Sequence, residues 1–343
     1  MRSDPERSFA DYRQFRPVTY PTARNDVIRG VGGIMKRALG ILAGLALASP
    51  ATAADELSGV WTNAWYTQLV RPRELKDLIV TPADAEAYEA PRRALSGRLP
   101  SPPDELGQNE SEFMDQGPGL ARIRGEIRSS WIVDPVDGKI PWKAGALEAR
   151  TAARKASRAT SDVHGWATDD RCLTIAGAAA PMINSPENNN LAIVQTADAV
   201  LFVGEKNHEY RIVRLGKSAQ LPPELGSRLG SSTGRWEGKT LVVTTTGWPV
   251  GVTDNYFGVT LTERAKVTER LTRTGPTEIT YLFEVEDPNL YARPWRGEMV
   301  FRPGGPLYEF ACHEGNYALT HMLDAVRIEH EAAAAARPAT ALR

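Results

Sequence analysis

From Leu191 onward the chain repeats one device: a run of β-branched and aromatic residues, a tight turn, and a second such run. LAIVQT (191–196), AVLFVGEK (199–206) and EYRIVRLG (209–216) follow one another in this way. RWEGKTLVVTTTGW (235–248) turns on Glu237-Gly238-Lys239, and residues 265–288 turn on Gly275-Pro276. Residues 297–315 read as a further pair of strands. Earlier, SSWIVDPVDGKIPW (129–142) has two apolar arms around Asp137-Gly138, a strong hairpin signal. LSGVWTNA (57–64) reads as an opening strand. Within 278–286, Ile279, Tyr281, Phe283 and Val285 share one face of a strand. Sequence-adjacent hairpins bury their edges most economically by closing on themselves. The expected fold is all-β: an antiparallel meander closed into a β-barrel with a few peripheral helices.

Two stretches break the pattern. Residues 66–120 read as an insertion, with a helical patch around 83–95 and a Pro/Gly/acid-rich loop. Residues 144–159, rich in Ala, Arg, Lys and Glu, read as a surface helix. A single domain over 54–330 is expected, with residues 331–343 as a disordered tail.

The front of the chain bears on compartment. From Met35 a basic start (Lys36, Arg37) leads into an apolar run, Ala38 to Ala48, and then Ala51-Thr52-Ala53. This is the layout of a signal peptide over 35–53 with cleavage after Ala53. The run is too short for a membrane span, which needs about 20 residues. Residues 1–34 then read as an over-extended start. Export to the periplasm is the expectation. Removing residues 1–53 takes eight basic and four acidic residues and leaves a net charge of −5. Mild acidity argues against nucleic acid or an anionic membrane surface as partner.

The chain has two cysteines, Cys172 and Cys312. In an oxidising compartment an even pair reads as one disulfide. Beside Cys312 stand His313 and Glu314. If residues 308–314 are extended, Cys312 and His313 face opposite sides, which weakens a Cys–His nucleophile pair. His313 or Glu314 could then face the barrel interior as a general acid or base. No zinc, EF-hand, P-loop or dinucleotide fingerprint occurs, so neither metal nor cofactor is expected. His164, among Asp162, Asp169 and Asp170, reads as a loop histidine. Eight tryptophans are a high load. If several line a cavity, Trp61, Trp236, Trp295, Tyr281 and a buried Arg211 are the ligand-binding candidates. A flat or hydrophobic molecule would suit them.

Gly59-Val60-Trp61 at the opening strand, with Arg327 after the last one, resembles the lipocalin/calycin pattern of an arginine packed over the G-x-W tryptophan. The strings IVDPVDGKIPW, GRWEGKTLVVTTTGW, YARPWRGEM and YEFACHEGNYAL resemble an exported, largely uncharacterised family of Gram-negative bacteria. That family commonly has Asp where this chain has Lys239, so no turn carboxylate carries over. The resemblance implies export and a lipocalin-like barrel but no activity.

Two functions follow as expectations. One is a periplasmic protein binding a small, largely apolar or aromatic molecule. The other is a cofactor-independent lyase, isomerase or hydrolase using His313 or Glu314. A structural envelope protein, its barrel filled by side chains, is a third reading.

Overall fold

A computed structural model describes residues 57–96, 115–168, 170–173, 177–216, 227–249, 252–254 and 258–335. The expected leader (35–53), the preceding 1–34, part of the insertion loop and residues 336–343 lie outside the described residues. In chain order the strands are β1 (Gly59–Thr62), β2 (Ile79–Val80), β3 (Arg122–Ile123), β4 (Glu126–Arg128) and β5 (Ile132–Asp134). Then come β6 (Asn190–Gln195), β7 (Ala199–Gly204), β8 (Tyr210–Leu215), β9 (Ser231–Glu237) and β10 (Thr240–Thr246). The last are β11 (Val252–Asp254), β12 (Thr260–Thr262), β13 (Lys266–Gly275), β14 (Glu278–Glu286) and β15 (Trp295–Pro303). Three α-helices are described: α1 (Pro82–Ser96), α2 (Ala146–Ser157) and α3 (Ala318–Ala335).

Nine strands close a barrel in the order β1-β6-β7-β8-β9-β10-β13-β14-β15, with Trp61 opposite Pro303 and Thr62 opposite Arg302 at the seam. The hairpins read from 191–216, 235–248 and 265–288 pair as expected. The meander is interrupted once. β8 and β9 run parallel, Val213 beside Ser232. The barrel is therefore mixed, though mostly antiparallel.

Two expected hairpins are absent. The arms of 129–142 do not pair with each other; β5 adds to β15 instead. The Asp137-Gly138 turn forms, with the Gly138 amide on the Pro135 carbonyl at 3.0 Å and Gly138 at φ +70°. Pro135 and Pro141, however, remove a ladder donor from each arm. Residues 304–311 carry no strand, because both edges of β15 are already taken, by β14 on one side and by β1 and β5 on the other.

Inward positions repeat at every second residue: Leu191 and Ile193, Val200 and Phe202, Val267 and Leu271, Ile279 to Val285, Met299 and Phe301. Gly297 is needed where Phe283 lies across it, since a Cβ there would meet the ring at 2.1 Å. Phe283 in turn meets Trp295 edge-on at 5.7 Å and 88°. Each such buried aromatic contributes roughly 1.5–3 kcal/mol through its removed apolar area. The insertion makes a satellite core, in which Tyr88 of α1 packs with Val80 and Ile127 of the small sheet β2-β4-β3.

The arginine over the G-x-W tryptophan is Arg273 of β13, its guanidinium 5.2 Å from the Trp61 ring centre. Arg327 sits instead on α3, paired with Asp324. That helix runs to Ala335, past the expected start of the tail, because its last residues are alanines of high helix propensity. The disulfide Cys172–Cys312 is present, tying the segment between α2 and β6 to the one between β15 and α3.

Candidate functional site

The barrel interior is occupied by its own chain. Arg211 of β8 and Glu269 of β13 meet through bonds of 2.5 Å and 2.9 Å. The Arg211 Nε donates to the Ala178 carbonyl at 2.7 Å, and the same guanidinium reaches Thr245 and Ser232 hydroxyls. The Tyr281 hydroxyl donates to Glu269 at 2.7 Å and accepts from the Met182 amide at 2.9 Å. Ala178 and Met182 belong to residues 177–185, a strap that reaches into the bore from the segment after Cys172. It passes β7 where Gly204 has no side chain; a Cβ there would lie 3.0 Å from the Gly177 carbonyl carbon. At the far side Asn184 takes the Trp131 indole N–H at 2.7 Å and donates to the Trp65 carbonyl at 3.0 Å.

This network has consistent electrostatics. Burial alone would lower the Arg211 pKa, but the Glu269 carboxylate turns the net shift upward. Burial, and then the adjacent Glu269 charge, push the Tyr281 hydroxyl well above its ordinary 10.0. Arg211 stays charged and Tyr281 stays protonated. Both are satisfied by protein groups.

The structure brings four of the five expected ligand residues into the core: Trp61, Arg211, Tyr281 and Trp295 are at most 3 % exposed. Trp236 is half-buried and packs against that core near an open end. The expected cavity among them is filled by the strap and its network. His313 and Glu314 do not face the interior. They occupy an exposed turn after β15, next to Cys312, with Asn316 donating to the Cys172 sulfur at 3.4 Å.

Ligand-sized space is found outside the bore. The most apolar is a groove of about 590 Å³ between α2 and the barrel end. One face of α2, Ala146, Ala149, Arg150, Ala153, Arg154 and Ser157, follows helical i, i+3, i+4 spacing along it. Opposite lie Trp166, Arg171, Arg228, Thr260 and Leu290. The helix forms because its sequence is rich in strong helix formers, and Arg154 and Lys155 in its last turn oppose the dipole. It buries none of its residues, since alanines are too short to fill the gap.

The groove's ends are anchored. Ahead of α2, the Lys143 amide donates to the Leu290 carbonyl at 2.8 Å and Trp142 packs on Tyr291 at 5.1 Å. Beyond it, the Trp166 indole donates to the Thr160 carbonyl at 2.8 Å, and Asp162 caps the turn carrying His164. Arg171 directly precedes the disulfide. The expected loop histidine, His164, thus lies on the groove's rim.

Among the described residues, two further cavities of ligand size lie elsewhere. One of about 340 Å³ is lined by Trp65, Tyr66, Arg92 and Asn184. One of about 530 Å³ lies by Asp134, Arg270 and Arg296 on the outer wall. The α2 groove is not among the sites expected from sequence, because a run rich in Ala, Arg, Lys and Glu reads as plain surface helix. Its signal was the Ala/Arg face of 146–157. No protein-family model matches the chain, and no curated protein does.

Proposed function

We propose that this is an exported, lipocalin-like barrel protein that binds a small, largely apolar or aromatic molecule. The ligand lies in the groove beneath α2 and not in the bore. The observation that carries this reading is the groove itself: its volume falls in the range of small-molecule sites, roughly 300–1,000 Å³, and Trp166 and four alanines line it. Export rests on the basic-apolar-small leader over 35–53, and the disulfide is in keeping with an oxidising compartment. Among the described residues no helix is long and apolar enough to cross a membrane.

The test is native mass spectrometry of the mature protein purified from the periplasm, with extraction of bound material. A retained small molecule that is lost on Ala153→Trp substitution supports the proposal. Bare protein, together with no binding of apolar aromatic probes, contradicts it.

The filled bore favours a second reading, a structural barrel with no ligand. It expects indifference to every probe. The enzyme reading, built on His313 and Glu314, draws less support, because both side chains stand exposed on a turn.

A further inference from the structure

Resting on the reading that the α2 groove is the binding site, we infer that its ligand is an anion. It has an apolar or aromatic body carrying one carboxylate, sulfonate or phosphate group. Four arginines line the groove, Arg150 and Arg154 from the helix and Arg171 and Arg228 from the opposite wall. Among the described residues lining it there is no Asp or Glu. The positive charge therefore comes from separate segments and belongs to the groove, not to one solvated helix face. It also stands out in a chain whose mature part carries more acidic than basic residues.

The floor is apolar. Trp166 is 5 % exposed, and its indole N–H is already bonded to the Thr160 carbonyl. What it presents to a ligand is ring surface. A concave site with low-dielectric walls concentrates the field of its charges. Guanidinium groups are weakly hydrated, planar and forked, which suits oxyanions better than neutral polar groups. Arg150 is held towards the Trp142 ring, its guanidinium 6.0 Å from the ring centre. Arg171 and Arg228, facing the helix, are the residues that meet the head group. Arg150 and Arg154 add to the field.

Two fluorescent probes with one skeleton separate charge from shape: anilinonaphthalenesulfonate and its neutral counterpart, phenylnaphthylamine. The full mature chain with its disulfide intact is titrated with each. The anion is expected to bind at least about tenfold more tightly, with the advantage shrinking as salt screens the arginines. Arg171→Gln combined with Arg228→Gln lowers anion affinity by roughly tenfold or more and leaves the neutral probe within about twofold. The neutral probe also reports that the variant is folded. Ala153→Trp, and separately Ala149→Phe, fill the groove from exposed helix positions and abolish both probes.

An anion no tighter than its neutral counterpart, or unaffected by the double arginine variant, overturns the charge inference and leaves the groove reading standing. If neither groove-filling variant moves either probe, the groove reading fails and the inference with it.

Discussion

Arg211 and Glu269 sit opposite each other in the centre of the barrel, joined by two N–H···O bonds between side chains 2 % and 0 % exposed. Neither has water to fall back on, so the pair is a specifying feature of the core and each member depends on the other. Removing one partner leaves a buried charge uncompensated, which costs about 3–5 kcal/mol. Arg211→Met alone, followed by urea unfolding, should show a loss of that size. Arg211→Met with Glu269→Leu should recover much of it, and the double-mutant cycle gives the coupling. Additive losses would mean the two are not interacting as described.

Tyr281 ties the same network to the strap. Its raised pKa fixes the sign of the alkaline response. The unfolded tyrosine loses its proton near 10.0 while the folded one holds it, so stability is fully present below that pH and falls as pH rises towards the higher folded value. In an alkaline titration followed by tyrosine absorbance, Tyr281 should ionise only with unfolding. Tyr281→Phe should remove that component and cost about 1–3 kcal/mol, because Glu269 and the Met182 amide each lose a partner. A Tyr281 that ionises at an ordinary pH within the folded protein would contradict the network.

Much of this barrel was legible in the sequence. The β6–β7–β8, β9–β10 and β13–β14 strands showed their period-two pattern and their turns, which are local signals. The strap was not legible. Residues 177–185 (GAAAPMINS) have no periodicity, and their burial comes from bonds to Arg211 and Tyr281, which are distant in sequence. The parallel β8–β9 step was hidden for the same reason. Arg211, whose alternation with Ile212 reads more readily as an exposed ladder residue than as a buried one, is buried, and the group it grips is Glu269. At the C-terminal side, extended-looking residues 308–314 found no free strand edge, so His313 and Glu314 came to lie outside.

Arg273, not Arg327, covers Trp61. A cation–π contact of this kind is worth about 0.5–2 kcal/mol. Arg273→Ala should lower stability by that order, with some additional loss from its bonds to the 275–276 turn carbonyls. Arg327→Ala, on exposed α3, should stay within about 0.5 kcal/mol of wild type. Thermal or urea unfolding of the two variants decides, and the reverse ranking would contradict the packing.

The disulfide joins positions 140 residues apart. By loop-closure entropy, its loss from Cys172→Ser/Cys312→Ser costs up to roughly 4–5 kcal/mol. Because Arg171 precedes Cys172 on the groove wall, the variant should also bind anilinonaphthalenesulfonate more weakly. Full retention of both stability and binding would show that the strap and wall need no such anchor.

On the outer wall, Arg293 first and then Arg296 hold the Asp134 carboxyl below its ordinary 3.8. Its contribution is present above that pH and is lost as pH falls through the lower folded value. The group is at the surface, so salt screening keeps the effect to about 1 kcal/mol or less. Asp134→Asn should flatten the acid limb of stability at low salt and change little at high salt. An unchanged limb would contradict the pairing.

The most direct measurement is a crystal structure of the mature protein bound to phenylnaphthylamine. The expected result is the probe against Trp166 and Ala153 beneath α2, with Met182 still on the Tyr281 hydroxyl inside the barrel. The probe within the bore, in place of the displaced 177–185 strap, would contradict it.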